Sequence, residues 1–206
     1  MSHTLLIASS NPGKLHEYQA ILQNLGVELV LPADIGVQLE VDEDGDTYYE
    51  NALKKAQAYC QASGLITLAD DSGLEVDALG GAPGLHSARF SPKPGATDAD
   101  RRAYLLAKLS SHPQPWPARF HCTLVIALPN GKHYSFEGNC PGQIVPGERG
   151  QYGFGYDPIF QPDGYATTTA EIPEEEKNRI SHRGRAAQAA LPALKELLEK
   201  DFSDEI

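Results

Sequence analysis

The chain is 206 residues long, 41% hydrophobic and 22% charged, enough to bury a substantial core as one domain or as two closely joined lobes with no separable linker. Its formal net charge of −11, with no run of lysines or arginines, argues against nucleic acid and anionic membranes as partners, although a small anionic substrate can still be neutralised locally. No apolar run approaches the ~20 residues that span a bilayer. The three cysteines, Cys60, Cys122 and Cys140, are too few and too far apart for a disulfide framework or a zinc site, so a reducing cytoplasm is expected.

An apolar strand at Thr4–Ala8 opens the chain and runs through SSNPGK into a helical pattern from Lys14 to Leu25, which Gly26 stops. The outline is that of a P-loop, but the first glycine is replaced by Ala8 and the metal-binding Ser or Thr by Leu15. A leucine cannot ligate a hard cation. Ser9, Ser10, Asn11 and Gly13 at a helix start, with Lys14 beside them, can still hold an anion, or can simply join a strand to a helix. If the loop holds phosphate, any metal must be bound by carboxylates elsewhere.

A short strand is expected near Val27–Leu31, then an acidic loop at Val41–Asp46. Thr47 and Glu50 have capping-box spacing for a helix that runs to about Ala62. Leu65–Gly73 reads as an apolar strand ending abruptly in Asp70, Asp71, Ser72 and Gly73. This alternation favours an α/β core. Further on come a loop at Gly80–Gly84, a helix at Thr97–Leu109, and a strand at Arg119–Leu128 that Pro129–Lys132 turns back into an antiparallel partner. Arg149–Phe160 is too rich in glycine and aromatics for a plain strand and is expected to be a shaped loop. From Pro173 to about Lys200 the pattern is helical, interrupted at Ser181–Gly184 and kinked at Pro192.

Glu43 before a helix, and Asp70 and Asp71 at a strand end, occupy places from which carboxylates reach a cleft beside a sheet. Magnesium needs only one or two of them, with phosphate and water completing its shell. Adjacent strand residues point to opposite faces, so Asp71 is assigned to the site and Asp70 to its support. A solvated turn is the alternative for both stretches. Lys54 and Lys55 lie on the helix after Glu43, and Lys177 opens the basic stretch KNRISHRGR, in which His182 and Arg183 fall at the helix break. Phe154 and Tyr156 in GFGYDP are able to stack on a nucleobase or to pack in a core. No nucleophile elbow, H-E-x-x-H or dinucleotide-binding glycine loop is present, so covalent catalysis has no obvious nucleophile.

Five stretches taken together, SSNPGK at Ser9–Lys14, ENALKKA at Glu50–Ala56, ADDSGLEVDALGGAPGLHSARF at Ala69–Phe90, GFGYDPIF at Gly153–Phe160 and EEKNRISHRGRA at Glu175–Ala186, resemble the inosine triphosphate pyrophosphatase family. The resemblance runs in order through nearly the whole chain. It implies an elongated α/β structure of two lobes around a long mixed sheet, with the nucleotide in the cleft between them, and a homodimer. It also implies hydrolysis of ITP, dITP and XTP to monophosphate and pyrophosphate with magnesium (Mg2+) as cofactor. By the same resemblance Ser9, Ser10, Asn11, Pro12, Gly13 and Lys14 would hold the triphosphate with Lys55 nearby, and Ser72 would contact substrate. Glu43, Asp70 and Asp71 would serve the metal, Asp71 also as general base, while Phe154, Gly155, Tyr156, Asp157, Lys177, His182 and Arg183 would enclose the purine. A Maf-type pyrophosphatase, or a nucleotide sensor that has lost catalysis, are the competing readings.

Overall fold

The computed structural model describes residues 4–199. Six strands, β1 (Thr4–Ile7), β2 (Glu28–Val30), β3 (Ile66–Val76), β4 (Trp116–Ala127), β5 (His133–Ile144) and β6 (Phe160–Pro162), form one sheet in the order β2-β1-β3-β4-β5-β6. β1 runs parallel to both β2 and β3, with Leu5 opposite Leu29 and Ile66, whereas β5 and β6 are antiparallel. β4 and β5 are neighbours joined only by the turn at 128–132, too short for the crossover that parallel strands need. The sheet is therefore mixed, and with α1 (Pro12–Leu22), α2 (Tyr48–Ser63), α3 (Asp98–Leu109), α4 (Glu174–Ile180) and α5 (His182–Glu199) the class is α/β, as expected.

The chain separates into two compact units. The first comprises the residues up to Asp70, Thr123–Glu137 and the chain from Ala186 onward. Its central strand β1 buries Leu5, Leu6 and Ile7. Beside them lies a layer of small residues, Ala8, Ala52, Ala56, Cys60, Ala69, Val125 and Ala127. Ala52, Ala56 and Cys60 recur every four residues and so make one face of α2, where short side chains let the helix approach closely. Thr47 caps α2 by accepting from the Glu50 amide, and Glu50 returns the bond to Thr47, the reciprocal capping box its spacing predicted.

The second unit comprises Asp71–Cys122 and Gly138–Arg185. Its core gathers Leu74, Val76, Leu105, Leu109, Trp116, Ala118, Cys140, Ile144, Tyr156, Ile159 and Phe160. Leu105 and Leu109 are one helical turn apart on α3, so a single face of that helix enters the core.

Several boundaries differ from expectation. Helix α1 starts at Pro12, because Asn11 caps it and proline suits its first position, and its regular part ends at Leu22, with Gln23–Leu25 tightening into a 3₁₀ turn before Gly26. Strand β3 does not stop at Gly73. It continues to Val76, drawn on by Leu74 and Val76, both fully buried. Asp70, Asp71 and Ser72 accordingly lie within a strand and not at a turn. The helical tail breaks at one residue, Ser181, and Pro192 sits inside α5 without ending it.

Candidate active site

In the first unit, Asn11 Oδ1 accepts from the amides of Gly13 at 2.9 Å and Lys14 at 3.3 Å, and Ser9 Oγ accepts from the Asn11 amide at 3.2 Å. The loop thus satisfies part of its own helix terminus, and the Ser10 hydroxyl and the Lys14 ammonium are further polar groups that it carries. Lys14 Nζ lies 3.0 Å from Asp70 Oδ2, a carboxylate only 1% exposed. β1 and β3 are paired neighbours, and Ala8, just after β1, donates its amide to Leu68 O, which sets the loop beside Asp70. Lys55 is ion-paired with Glu43, and the next lysine, Lys54, with the exposed Asp44. The two acidic candidates of this unit, Glu43 and Asp70, therefore each face a lysine.

In the second unit, β3 continues with Asp71, 7% exposed, whose Oδ1 accepts from the Ser72 amide at 2.9 Å. Ser72 Oγ accepts from Arg183 Nη2 at 3.0 Å across 111 residues of sequence. Arg183 is itself almost wholly buried, and its guanidinium carbon lies 5.8 Å from the centre of the Phe154 ring. Lys177 Nζ lies 5.2 Å from the same ring centre. Arg183 thus links Ser72 to the surroundings of the Phe154 ring, and Lys177 lies beside the same ring. His182 stands apart in one respect: its ring stacks on Phe120, with centroids 4.7 Å apart and planes inclined by 11°.

The helix break that presents these residues is built locally. Ser181 Oγ accepts from the Gly184 amide at 3.0 Å and so caps α5. A Cβ at Gly184 would lie 1.7 Å from the Asn178 carbonyl oxygen, so only glycine lets the two helices meet this closely.

Asp157 organises the aromatic loop. Its carboxylate accepts from Lys177 Nζ at 2.6 Å, from the Phe154 amide at 2.8 Å and from Thr169 Oγ1 at 3.0 Å. A Cβ on Gly153 would fall 2.1 Å from Asp157 Oδ2, and its φ of +75° lies where side chains are disfavoured, so glycine is required there twice over. Tyr156 donates its hydroxyl to Ser87 O at 2.9 Å, and burial pushes that phenol well above its usual pKa, which keeps the donor proton in place. Gly155 is held at both ends: its amide donates to Asp98 Oδ2 at 2.8 Å and its carbonyl accepts from Arg102 Nη1 at 2.8 Å. Burial acts to raise the Asp98 carboxyl, but the bonds from Gly155 and Arg101 outweigh it and hold the group below the ordinary carboxylate value. Asp98, Arg102, Thr169 and Phe120 had no local signal for these contacts in the sequence, since each meets its partner at a distance along the chain, whereas Ser87 lies within the motif Ala69–Phe90.

Among the described residues no group of three or more His, Cys, Asp or Glu is arranged to hold a metal ion, and no helix is long and apolar enough to cross a membrane.

The class these features define is a mixed-sheet α/β protein whose first unit carries a lysine-bearing strand-to-helix loop and whose second carries an aromatic ring with two cations beside it. A family model described as the Ham1 family matches residues 5–193, and the chain belongs to that family. It is 45% identical over 194 residues to the dITP/XTP pyrophosphatase of Desulforamulus reducens, covering 94% of this chain and 96% of the relative. To the dITP/XTP pyrophosphatase of Geobacter sulfurreducens it is 48% identical over 183 residues, covering 88% and 92%. A solved structure of a HAM1 protein from Coxiella burnetii superposes with a TM-score of 0.85 at 38% identity, covering 94% of this chain and 99% of that one. The resemblance drawn from the five motifs is borne out.

Proposed function

We propose that the chain hydrolyses the non-standard purine nucleoside triphosphates ITP, dITP and XTP to nucleoside monophosphate and pyrophosphate, cleansing the nucleotide pool. Its near full-length relatives named dITP/XTP pyrophosphatase support this. The observation that carries it is the Phe154 ring with Lys177 and Arg183 fixed 5.2 and 5.8 Å from its centre. A stacking platform bounded by cationic donors suits a purine whose edge presents keto oxygens. Adenine places an amino group there, and a buried donor left unmatched costs ~1 to 3 kcal/mol.

The phosphate end of the substrate is assigned to Ser9–Lys14, Lys55 and Ser72, with Lys14 supplying the mobile positive charge. The base end is assigned to Phe154, Gly155, Tyr156, Asp157, Lys177, His182 and Arg183. Asp71 acts as general base. It takes a proton from the water that adds to the α-phosphorus, the bond from that phosphorus to the bridging oxygen breaks, and pyrophosphate leaves with the bond's electrons. No protein nucleophile is required.

The residues fit a magnesium ion. Glu43, Asp70 and Asp71 offer oxygen donors alone, and magnesium takes only one or two protein carboxylates beside phosphates and water, so a three-residue cluster is not needed. When bound, the ion would neutralise phosphate charge and lower the pKa of a water. The same reading carries a homodimer, a cytoplasmic location and a single catalytic domain spanning residues 1–206.

The test is a panel of ITP, dITP, XTP, GTP and ATP with magnesium, products separated by anion exchange. Monophosphate and pyrophosphate in equal amounts from the first three, with little turnover of ATP, is the expected result. Release of orthophosphate and a diphosphate would overturn the pyrophosphatase reading, and tight binding with no turnover would favour a nucleotide sensor.

A further inference from the structure

We propose that Asp98 and Arg102, in the first turns of α3, are positioning residues for base recognition, acting as a two-sided clamp on the Gly155 peptide groups. The inference rests on the reading that Phe154–Asp157 receives the purine. Gly155 has no side chain and adopts φ +60°, so nothing of its own packs to hold the loop, and a Cβ there would meet nothing within 4 Å. Its conformation depends on backbone bonds. Asp98 Oδ2 takes the amide that joins Gly155 to Phe154, and Arg102 Nη1 gives to the carbonyl that joins it to Tyr156. The two peptide planes on either side of the glycine are thereby fixed from one helix.

The placement of each clamp residue is itself determined. Asp98 stands just after the cap Thr97, and its other oxygen is bonded to Arg101. Arg102 is only 11% exposed, and its second nitrogen reaches Glu148 at 2.9 Å. Its Nε is buried and finds no hydrogen-bond partner among the described residues. An exposed ion pair to Glu148 is weak recompense for a buried orphan donor, so the carbonyl of Gly155 is the contact that accounts for the guanidinium's position. Loosening the clamp frees the Phe154 ring from its station by Lys177 and Arg183, and base contacts weaken. The phosphate contacts assigned to Ser9–Lys14 do not involve this loop.

The experiment compares two inhibitors of ITP hydrolysis, IMP, which carries the base, and inorganic tripolyphosphate, which does not. Variants are Asp98→Ala, Asp98→Asn, Arg102→Ala and Arg102→Lys, with Phe154→Ala as reference. Loss of either clamp bond should raise the IMP inhibition constant about tenfold, as for one charge-assisted hydrogen bond, while tripolyphosphate inhibition stays within about twofold. KM for ITP should rise more than kcat falls, because the base lies remote from the reacting phosphorus. Asp98→Asn, which keeps an acceptor, and Arg102→Lys, which keeps a donor, should recover most of the loss. Equal weakening of IMP and tripolyphosphate, or no change in either for both alanine variants while Phe154→Ala weakens IMP, would overturn the clamp. If Phe154→Ala leaves IMP unaffected, the assignment of this loop to the base is wrong, and the clamp's role falls with it.

Discussion

Lys177 and Asp157, twenty residues apart and on different elements, form an ion pair of 2.6 Å with each side chain only 7% exposed. Burying two charges is costly, and the pair persists because the Asp157 carboxylate is also satisfied by the Phe154 amide and Thr169 Oγ1. Removing the negative partner would strand the ammonium. Asp157→Asn should lower unfolding free energy by about 3 to 5 kcal/mol, the range for breaking a buried pair. Urea titration measures this. A loss below about 1 kcal/mol would show that Lys177 does not depend on Asp157, since ordinary surface pairs fall in that range.

Asp71→Asn keeps shape and removes the charge. Turnover of ITP should fall ~100-fold or more, the size usual for a general base, while nucleotide affinity changes little. Single-turnover rates and equilibrium binding separate the two. Near-normal turnover would take Asp71 out of the chemistry.

Lys14→Ala should act on phosphates. Inhibition by pyrophosphate and tripolyphosphate should weaken about tenfold, as expected for loss of one charged contact, and inhibition by IMP much less. Parallel weakening of all three would show that Lys14 reaches no phosphate beyond the first.

Arg183 contributes to both the Ser72 hydroxyl and the surroundings of Phe154. If its donors read the 6-keto edge, Arg183→Ala should lower kcat/KM for ITP while the poor ATP activity stays nearly constant, shrinking the ratio by about 1 to 3 kcal/mol. The same fall for both nucleotides would leave base selection to Lys177 and His182.

The thiols give a prediction about pH. Burial, the largest influence, pushes Cys140 up to about 11 from 9.0. Above pH 9 the unfolded chain releases this proton and the folded chain retains it, so stability should decline as pH rises toward 11. The slope for one thiol is at most ~1.4 kcal/mol per pH unit. All three cysteines are buried, so Ellman's reagent at pH 8 should modify none until denaturant is added. Rapid labelling of Cys140 in the native protein would contradict its placement.

The sequence revealed the α/β class because its strands and helices alternate with clear stops, and it singled out the candidate site residues because several sit at loops whose composition is unusual. It misjudged β3. Ser72 and Gly73 have the composition of a turn, yet the alternation resumes after them with Leu74 and Val76, and core burial overrides local preference. The start of α1 was legible in Asn11 and Pro12, a cap followed by a proline, but the apolar stripe begins later and drew the boundary to Lys14. The grip of Asp98 and Arg102 on Gly155 was not legible, for it joins residues more than fifty positions apart through backbone atoms that every residue possesses.

The contact between Gly184 and the Asn178 carbonyl bears on how this stretch tolerates variation. At 155 the obstacle to a side chain is the backbone angle, which asparagine can meet, and space is open. At 184 the obstacle is an atom already in the way, 1.7 Å from where any Cβ must be, and it is main chain, which cannot rotate aside. In a saturation library sorted for folded protein, codon 184 should therefore collapse to glycine alone, whereas codon 155 should retain a minority of asparagine. The spacing between Lys177 and Arg183 is in this sense written into one missing methyl group, and any homologue with a side chain there must have re-routed the junction of its two helices.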